Sequence, residues 1–598
     1  MKNKILAIFT VFVVPLLYFY NEILATALVS AAGFGFALNR FKKTNKSILL
    51  PSSLLVIFGF LTFTWLFLVG RSAFVSYSPY ASWPVFIKLC ALTLLAYAIS
   101  RELANKPDGH IDYYQIAALS GIIHGIYAII EYIIAPEIPA TWLDPASKEL
   151  FRTRCSGLMT DPNIFAAFLS VLFIFTVGLI LKTDNKKVQI MAAISLLFNG
   201  TGIFMTLSRG GWVAFFAGIV AFIIALAIGH IKPNAFQIKT LSVTAIILLV
   251  IFFSGPFRYR LFSITKPSDM TFFQRTLINK GIIGSINKMP IAGHGIHTFT
   301  QVYPLYRIVG GDYPMNAHNE FLHSMVETGF LSSIILAVIT LYLIRIAYVS
   351  AKKKNLNCII FASSFIVLLV QNLSGFSSRI LPTSVLIAVS ISGIMASQFR
   401  LSSPKAAKTF SQLNFMPIIV IISIIIGSYS LLDTYKIQKS LVDASTLLNS
   451  GKINEAVNLL EKVLEKQPGN PNASDALAMY YLAVGQNQDK AVAIWENAIK
   501  FNPYEPLLQM RLARFYNSTD IEKADYYYKE ALKLDPASEY FRLDYANFLI
   551  SQNKKTEAKE KTPEEKIAAL EKENADLKDQ VLRRAADFDN YRKRMIKE

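Results

Sequence analysis

An arginine and a histidine, each next to a long apolar segment, are the most informative residues of this chain. Arg209 lies in the run Ser208–Trp212, beside two glycines that let the backbone approach a ligand closely, and His318 lies in Ala317–Glu320. A guanidinium group keeps its charge and presents a fork of donors that matches phosphate oxygens. An imidazole that is neutral near pH 7 can accept a proton. Together these side chains would suit an anionic substrate and a proton transfer.

The apolar segments are numerous and identify a polytopic membrane protein. The chain has 598 residues, of which 53% are hydrophobic, and its mean hydropathy is +0.40. A helix needs about 20 apolar residues to cross a bilayer. The first run is expected to be retained, because no small-residue cleavage site follows it. The thirteen predicted spans are 4–21, 23–39, 48–70, 83–100, 111–134, 163–181, 188–206, 211–229, 239–255, 319–344, 357–375, 380–398 and 414–432.

The basic residues orient these spans. A net charge of +19 would suit a nucleic-acid-binding protein, but Lys and Arg are concentrated in alternate short loops, such as 40–46, 182–187 and 345–354. The positive-inside rule places those loops in the cytoplasm. The residues predicted to face outward are the loop 135–160, the turn around Arg209, the segment 256–318, the link 376–380 and everything after residue 432.

Each candidate residue also has a simpler interpretation. Arg209 could snorkel to the outer interface, although a cation there runs against the charge bias. His318 could be a satisfied interfacial histidine, and the local sequence leaves both interpretations open. Asn319 is expected to cap the helix that His318 opens. Glu327 is expected to be partly buried against other spans.

The outer segment 256–318 is the longest non-spanning stretch among the predicted spans. It is rich in aromatic residues and is therefore expected to be ordered. Its run Gly293–His297 predicts a turn in which the two histidines are structural. Arg275 has apolar neighbours at helical spacing, and taken alone it is expected to pair with acidic groups on the loop surface.

The region 440–555 carries an internal repeat. Pro468, Pro503 and Pro536 are spaced by 35 and 33 residues, close to the 34-residue period of tetratricopeptide repeats. Each proline is expected to end the second helix of a pair. The alternative is an irregular helical domain. Small residues suit close packing of the predicted helices: Ala456, Ala491 and Ala524.

The tail 556–598 has a different pattern. Apolar residues from Ile567 to Tyr591 recur at spacings of three and four, which predicts a coiled coil. The sequence from Ala575 to Arg594 resembles the long helix of GrpE, a nucleotide exchange factor of a cytosolic chaperone. Because the predicted topology places this tail outside, a fusion scar, an appended expression element or a gene-boundary error explains it better than a chaperone function.

A set of motifs along residues 1–400 occurs in a characteristic order. They are Arg154 with Gly157–Asn163, Ser208–Gly211, Arg275, Pro290–Gly295 with Phe299, and Ala317–Leu322 with Glu327–Phe330. Their order and the outer-facing loop resemble the O-antigen ligase and O-antigen polymerase superfamily.

This resemblance implies a metal-independent, cofactor-free GT-C-type glycosyltransferase of the bacterial inner membrane, active on the periplasmic or external side. It implies inverting transfer of a glycan from undecaprenyl pyrophosphate to an acceptor hydroxyl. The family's paired arginines correspond to Arg209 and Arg275, and its histidine corresponds to His318. Further candidates for substrate binding are Arg154, Asp161 and Asn319. For Asp161, a helix start is an equally good explanation.

The predicted fold is therefore all-α: a polytopic bundle of 12–13 transmembrane helices over 1–432, a tetratricopeptide domain over 440–555 that could recruit a protein partner, and the tail.

Three acceptors stay open, namely a lipid A-core sugar, the growing glycan and a protein Ser or Thr. Two other classes compete. A transporter of lipid-linked glycans would show charges at mid-span, and a scaffold would not need so many spans.

Overall fold

The computed structural model describes residues 2–41, 49–106, 108–134, 153–254, 270–401, 435–484 and 487–557, together with 257, 260 and 433. These residues are almost entirely helical. One two-stranded antiparallel ladder pairs Leu49–Pro51 with Phe399–Leu401. The helices are Lys2–Ala7, Ile8–Val13 (a π-helix), Val14–Tyr20, Glu22–Phe41, Ser53–Phe74, Pro79–Asn105, Gly109–Ile134, Pro162–Lys182, Lys186–Met205, Arg209–Ile228, Ala235–Ser254, Met270–Gly284, Phe299–Val302, Glu320–Thr328, Phe330–Lys352, Leu356–Ser374, Leu381–Ala396, 435–449, Ile453–Lys466, Pro471–Val484, Gln488–Phe501, Pro506–Tyr516, Ile521–Leu534 and Glu539–Glu557, with 3₁₀ turns at Gly157–Met159, Ile286–Lys288, Tyr303–Tyr306 and Ser377–Arg379.

Within the described residues, nine helices are long and apolar enough to cross a membrane, which makes the chain a multi-pass membrane protein. Shorter apolar helices occupy the predicted spans at 4–21, 23–39 and 380–398. The predicted span 414–432 and the coiled-coil tail lie outside the described residues. The start of the predicted span 48–70 is wrong, because its first residues form the strand Leu49–Pro51 and the helix begins at Ser53.

The prediction of one continuous span over 319–344 is also wrong. Gly329 interrupts it with φ 91° and ψ 162°, so a short helix, Glu320–Thr328, precedes the spanning helix Phe330–Lys352. A Cβ atom at Gly329 would lie 2.1 Å from the carbonyl oxygen of Ile291. Only glycine tolerates both this backbone conformation and this close approach. An apolar run conceals such a break, because Gly329 carries no charge.

Contacts divide the chain into two compact units. The first comprises Met1–Lys266, Pro290–Thr298 and Asn316–Lys436. Its most buried helix is Pro162–Lys182, whose residues are buried on every face and which packs against the neighbouring helices Gly109–Ile134, Lys186–Met205 and Leu356–Ser374. A span that is apolar all round and surrounded by other spans has this pattern. The first unit holds both Arg209 and His318.

The second unit comprises Pro267–Met289, Phe299–Met315 and Ile437–Glu598. Two parts of the predicted outer loop thus belong with the C-terminal helices. In this region each helix packs against the helices that are next to it in the sequence. Pro468, Pro503 and Pro536 each follow the end of a helix, as predicted. The tetratricopeptide assignment of these helices stays a prediction.

The helix Met270–Gly284 packs closely against the turn Tyr303–Tyr306. A Cβ atom at Gly281 would lie 2.3 Å from the backbone oxygen of Tyr306, so Gly281 lets the helix approach this turn. At Gly284, on the same helix, a Cβ atom would meet nothing within 4 Å. The two glycines are therefore a matched pair for testing the contact.

We expect Gly281→Ala to loosen the helix Met270–Gly284 from its turn, because backbone atoms cannot move aside without repacking. Gly284→Ala should instead stabilise the helix, by up to about 1 kcal/mol, because alanine restricts the unfolded chain. Hydrogen exchange of amides in this helix would measure both effects. Equal exchange in the two variants would contradict close packing of Gly281 against Tyr306.

Candidate active site at one end of the bundle

Arg209 is the first residue of a helix whose start is held by side-chain hydrogen bonds. Ser208 caps the helix Arg209–Ile228, since its Oγ accepts from the backbone N of Gly211 at 3.1 Å. The same Oγ donates to Oδ1 of Asn163 at 2.6 Å. A Cβ atom at Gly211 would lie 2.4 Å from Cβ of Ala166. These contacts fix Arg209 next to the start of the helix Pro162–Lys182.

Asp161 caps that second helix. Its Oδ1 accepts from the backbone N atoms of Asn163 at 2.7 Å and Ile164 at 3.0 Å. The structure therefore confirms the helix-start explanation of Asp161. Two helix N-termini, which carry partial positive charge, lie side by side at Arg209. An ionised Asp161 would repel a phosphate, so capping suits its chemistry better than phosphate binding.

Two more arginines reach the turn that precedes Arg209. Nε of Arg154 donates to the backbone oxygen of Thr206, and Nε of Arg260 donates to that of Leu207, each at 3.4 Å. Arg154 was predicted as a site residue, whereas Arg260 was missed. Its position just after an apolar run, on the side predicted to be poor in cations, is the same signal that marked Arg209. Arg154, Arg209 and Arg260 are thus grouped at one short turn.

The segment that carries Arg154 is anchored by Glu131. The carboxylate of Glu131 accepts from the N and Oγ of Ser156, at 3.0 and 3.1 Å, and from the N of Gly157 at 2.9 Å. Glu131 lies near the end of the spanning helix Gly109–Ile134. Local hydrogen bonds therefore satisfy this carboxylate at the end of a predicted span, and through them it holds the loop.

His318 lies just before the short helix Glu320–Thr328. Asn319 is the N-cap, and its Oδ1 accepts from the N atoms of Phe321 and Leu322, which confirms the capping prediction. The prediction that His318 opens this helix is wrong, because the helix begins at Glu320. His318 precedes the cap with φ 52°, a conformation uncommon for residues other than glycine. Its ring meets the edge of the Phe376 ring, with centroids 5.6 Å apart.

Arg379 fixes the short helix through two carboxylates. Its Nε and Nη2 donate to the two oxygens of Glu320 at 3.2 and 3.0 Å, and its Nη1 donates to Oε2 of Glu327 at 3.0 Å. Ser378 adds a hydrogen bond to Glu320 at 2.6 Å. Burial opposes ionisation of Glu327, but Arg379 and His323 outweigh it and hold the pKa of Glu327 below its ordinary value. The full burial of Glu327 exceeds the partial burial that was expected.

His323 connects this ion cluster to the backbone beside His318. Its Nδ1 accepts from the N of Ala317 at 3.2 Å, and its Nε2 lies 2.9 Å from Oε1 of Glu327. Because Nδ1 accepts a hydrogen bond, Nε2 carries the proton and faces the carboxylate. Burial lowers the pKa of His323, and Arg379 lowers it further. The neutral ring therefore holds the residue that precedes His318.

The run Gly293–His297 forms the predicted turn and packs against the C-terminal end of the same short helix. The N atoms of His294 and Gly295 donate to the backbone oxygens of Val326 and Glu327 at 3.1 and 2.9 Å. Gly293 has φ 71°, and a Cβ atom there would lie 2.3 Å from the oxygen of Glu327. Burial lowers the pKa of His294 to about 4, so this ring is neutral at physiological pH.

A continuous series of contacts places Arg209 and His318 at the same end of the first unit. Nε2 of Gln371 donates to the backbone oxygen of Asn163 at 3.3 Å, next to the cap of Arg209. Oδ1 of the next residue, Asn372, accepts from the N of Ser378 at 2.8 Å, and Phe376 contacts His318. The C-terminal end of the helix Leu356–Ser374 thus lies between the two candidate residues.

Arg275 belongs to the second unit. It is half-buried on the helix Met270–Gly284, and its neighbour Gln274 donates to the oxygen of Gly310 at 3.0 Å and accepts from the N of Asp312 at 3.0 Å. The pairing of Arg275 with Arg209 stays a prediction.

The sequence interpretation missed the cation that organises the site. Arg379 lies in the short link 376–380, which was noted only as an outer connection. Lys88 was also missed: it lies inside the spanning helix Pro79–Asn105 and donates to the backbone oxygen of Arg379 at 3.2 Å. Both residues are basic in positions where lipid or the outer interface should disfavour them, which is the signal that could have identified them.

These features define a multi-pass membrane protein with a cationic, histidine-bearing site at one end of its bundle. Residues 192–337, about a quarter of the chain, match the family model described as O-antigen ligase. The matched region includes Arg209, Arg275 and His318. The family supports a membrane glycosyltransferase-like activity, as a ligase or polymerase, with a lipid-linked glycan donor and an acceptor.

A second match concerns the C-terminus. Residues 546–598 match the GrpE family model. Protein GrpE of Treponema denticola is 60% identical over 37 residues, which are 6% of this chain and 15% of that protein. The resemblance of the tail to GrpE is therefore confirmed. Because the match spans so little of the GrpE protein, the activity of GrpE is not assigned to this chain.

We expect Arg379→Gln to destabilise the protein by about 3–5 kcal/mol, because it leaves the buried carboxylate of Glu327 without its cation. Thermal unfolding in detergent would measure the loss. Arg345→Gln is the matched control, since Arg345 is exposed on the spanning helix Phe330–Lys352. Equal stability of the two variants would show that the Arg379 cluster does not support the short helix.

Proposed function

We propose that this protein transfers a glycan from undecaprenyl pyrophosphate to an acceptor hydroxyl on the external side of the membrane. The observation that carries the proposal is the placement of Arg209 and His318 at one end of the bundle, joined through the end of the helix Leu356–Ser374. A phosphate-binding cation and a proton acceptor in one place are what this transfer requires. The O-antigen ligase match over residues 192–337 supports the same reaction class.

The cations would bind the donor and stabilise its departure. Arg209 begins a helix beside a second helix N-terminus, and Arg154 and Arg260 bind the adjoining turn. This arrangement concentrates positive charge where a pyrophosphate could bind. Negative charge grows on the pyrophosphate as the bond from the anomeric carbon to its oxygen breaks, and fixed positive groups lower the energy of that state. Arg275 is the second cation proposed for this role.

His318 would act on the acceptor. Its imidazole takes the proton of the acceptor hydroxyl while the hydroxyl oxygen forms the new bond to the anomeric carbon. Attack from the side opposite the leaving undecaprenyl pyrophosphate inverts the configuration. His323, Ala317 and the Asn319 cap hold the backbone on both sides of His318, which suits a group that must be positioned before reaction. Asn319 contributes to this positioning because it caps the helix Glu320–Thr328.

The identity of the acceptor distinguishes three variants of the proposed reaction. A lipid A-core sugar, the growing glycan and a protein Ser or Thr all present a hydroxyl, and the same residues would serve each of them. The first corresponds to a ligase, the second to a polymerase and the third to a protein O-oligosaccharyltransferase.

We expect His318→Ala and Arg209→Ala each to reduce transfer about 100-fold or more, in line with the loss of a general base or of a charge-stabilising donor. The assay supplies purified undecaprenyl-pyrophosphate glycan to the full-length protein in nanodiscs, with each acceptor class in turn. His230→Ala is the control, because His230 is an exposed histidine in a turn predicted to face the cytoplasm.

Folded protein with unchanged transfer in both site variants would disprove the site assignment. Absence of transfer by the wild type with every acceptor would favour the transporter of lipid-linked glycans instead.

A further inference from the structure

A buried ion pair joins the predicted outer loop to the C-terminal helices. Nη2 of Arg307 lies 2.9 and 3.0 Å from the two carboxylate oxygens of Asp535, and the OH of Tyr313 donates to Oδ2 of Asp535 at 2.5 Å. The side chains of Arg307 and Asp535 are 7% and 0% exposed. Both residues belong to the second compact unit.

Such a pair is specific because both of its charges are shielded from water. A buried carboxylate without a partner is strongly unfavourable, whereas exposed pairs contribute little. Arg307 is itself held in place: its Nη1 donates to the oxygen of Gly311 at 2.8 Å, and its guanidinium lies over the Tyr313 ring, 4.1 Å from the centroid. The loop therefore presents a preorganised cation to the carboxylate.

The position of Asp535 within the repeat distinguishes its turn chemically from the equivalent turns. Gln467, Asn502 and Asp535 each precede the proline that follows a repeat helix. The first two are buried amides that bond within the repeats: Gln467 accepts from Nδ2 of Asn470, and Asn502 donates to the oxygen of Gly469. At the third turn a carboxylate replaces the amide, and its partners are Arg307 and Tyr313.

The contact extends from Arg307 to the helix that carries Arg275. Arg307 binds Gly311, and the flanking residues Gly310 and Asp312 are both hydrogen-bonded to Gln274. Further along, Gly281 packs against the oxygen of Tyr306. The helix Met270–Gly284 is thus attached at two points to the segment that Asp535 binds.

We propose that Asp535 is a positioning residue that docks the loop segment Phe299–Met315 onto the C-terminal helices and thereby orients the helix that carries Arg275. The C-terminal helices then form part of the catalytic apparatus, in addition to any role in binding other proteins. The effect on transfer rests on the proposed function, whereas the docking itself does not.

Asp535→Asn is the test variant, because Asn502 shows that the repeat accommodates asparagine at this position. We expect amides in 270–284 and 299–313 to exchange roughly tenfold faster or more in full-length protein carrying this change. Arg307→Gln should have the same effect, and the double variant should be no worse than either single variant, since the two residues stabilise one contact. Glu530→Gln is the control: it removes a carboxylate whose partner Lys533 is largely exposed.

In the transfer assay, Asp535→Asn should raise the donor KM at least about threefold and also lower kcat, because Arg275 is proposed both to bind the pyrophosphate and to stabilise its departure. Unchanged exchange in 270–284, or an additive effect in the double variant, would overturn the proposal. Faster exchange with an unchanged donor KM would overturn the link to Arg275. If the wild type transfers no glycan at all, the proposed function fails, and the exchange data still decide the docking.

Discussion

The arrangement of the candidate site depends on one buried cation. Arg379 bridges the carboxylates of Glu320 and Glu327, which lie seven residues apart on one short helix, and so fixes that helix along its length. Glu327 in turn orients His323, which binds the backbone beside His318. The glycine turn at 293–295 closes over the same helix end. Without this guanidinium group, the buried carboxylate of Glu327 would lack its cation, and the short helix that follows His318 would lose its contacts with Arg379.

Most of the fold could be predicted from the sequence because its signal is compositional. Runs of apolar residues identify spanning helices regardless of their neighbours, and the caps at Asp161, Ser208 and Asn319 depend on residues close in the chain. The break at Gly329 was not predicted, because it reflects contact with Ile291, which is distant in sequence. Local patterns identify elements, whereas tertiary contacts decide where an apolar run is interrupted.

The candidate site shows the same division. Arg209 and His318 were identified because their types are unusual for their positions. Arg379 and Arg260 carry the same signal but lie in segments without a recognised motif. His323 was not identifiable, since its importance arises from a hydrogen bond that it accepts from Ala317 and from its close contact with Glu327. The role of Asp535 is recognised only when it is compared with Gln467 and Asn502 at equivalent positions of the repeat.

The separation of Arg307 and Asp535 in the chain has a consequence for biogenesis. The two residues are 228 positions apart, so Arg307 leaves the ribosome well before its partner exists. At about 5–20 residues per second the interval is roughly 10 to 45 s. The helices that follow residue 316 must be made and inserted during this time. The segment Phe299–Met315 therefore lacks this carboxylate partner until Asp535 has been translated, so its docking is a late step of assembly.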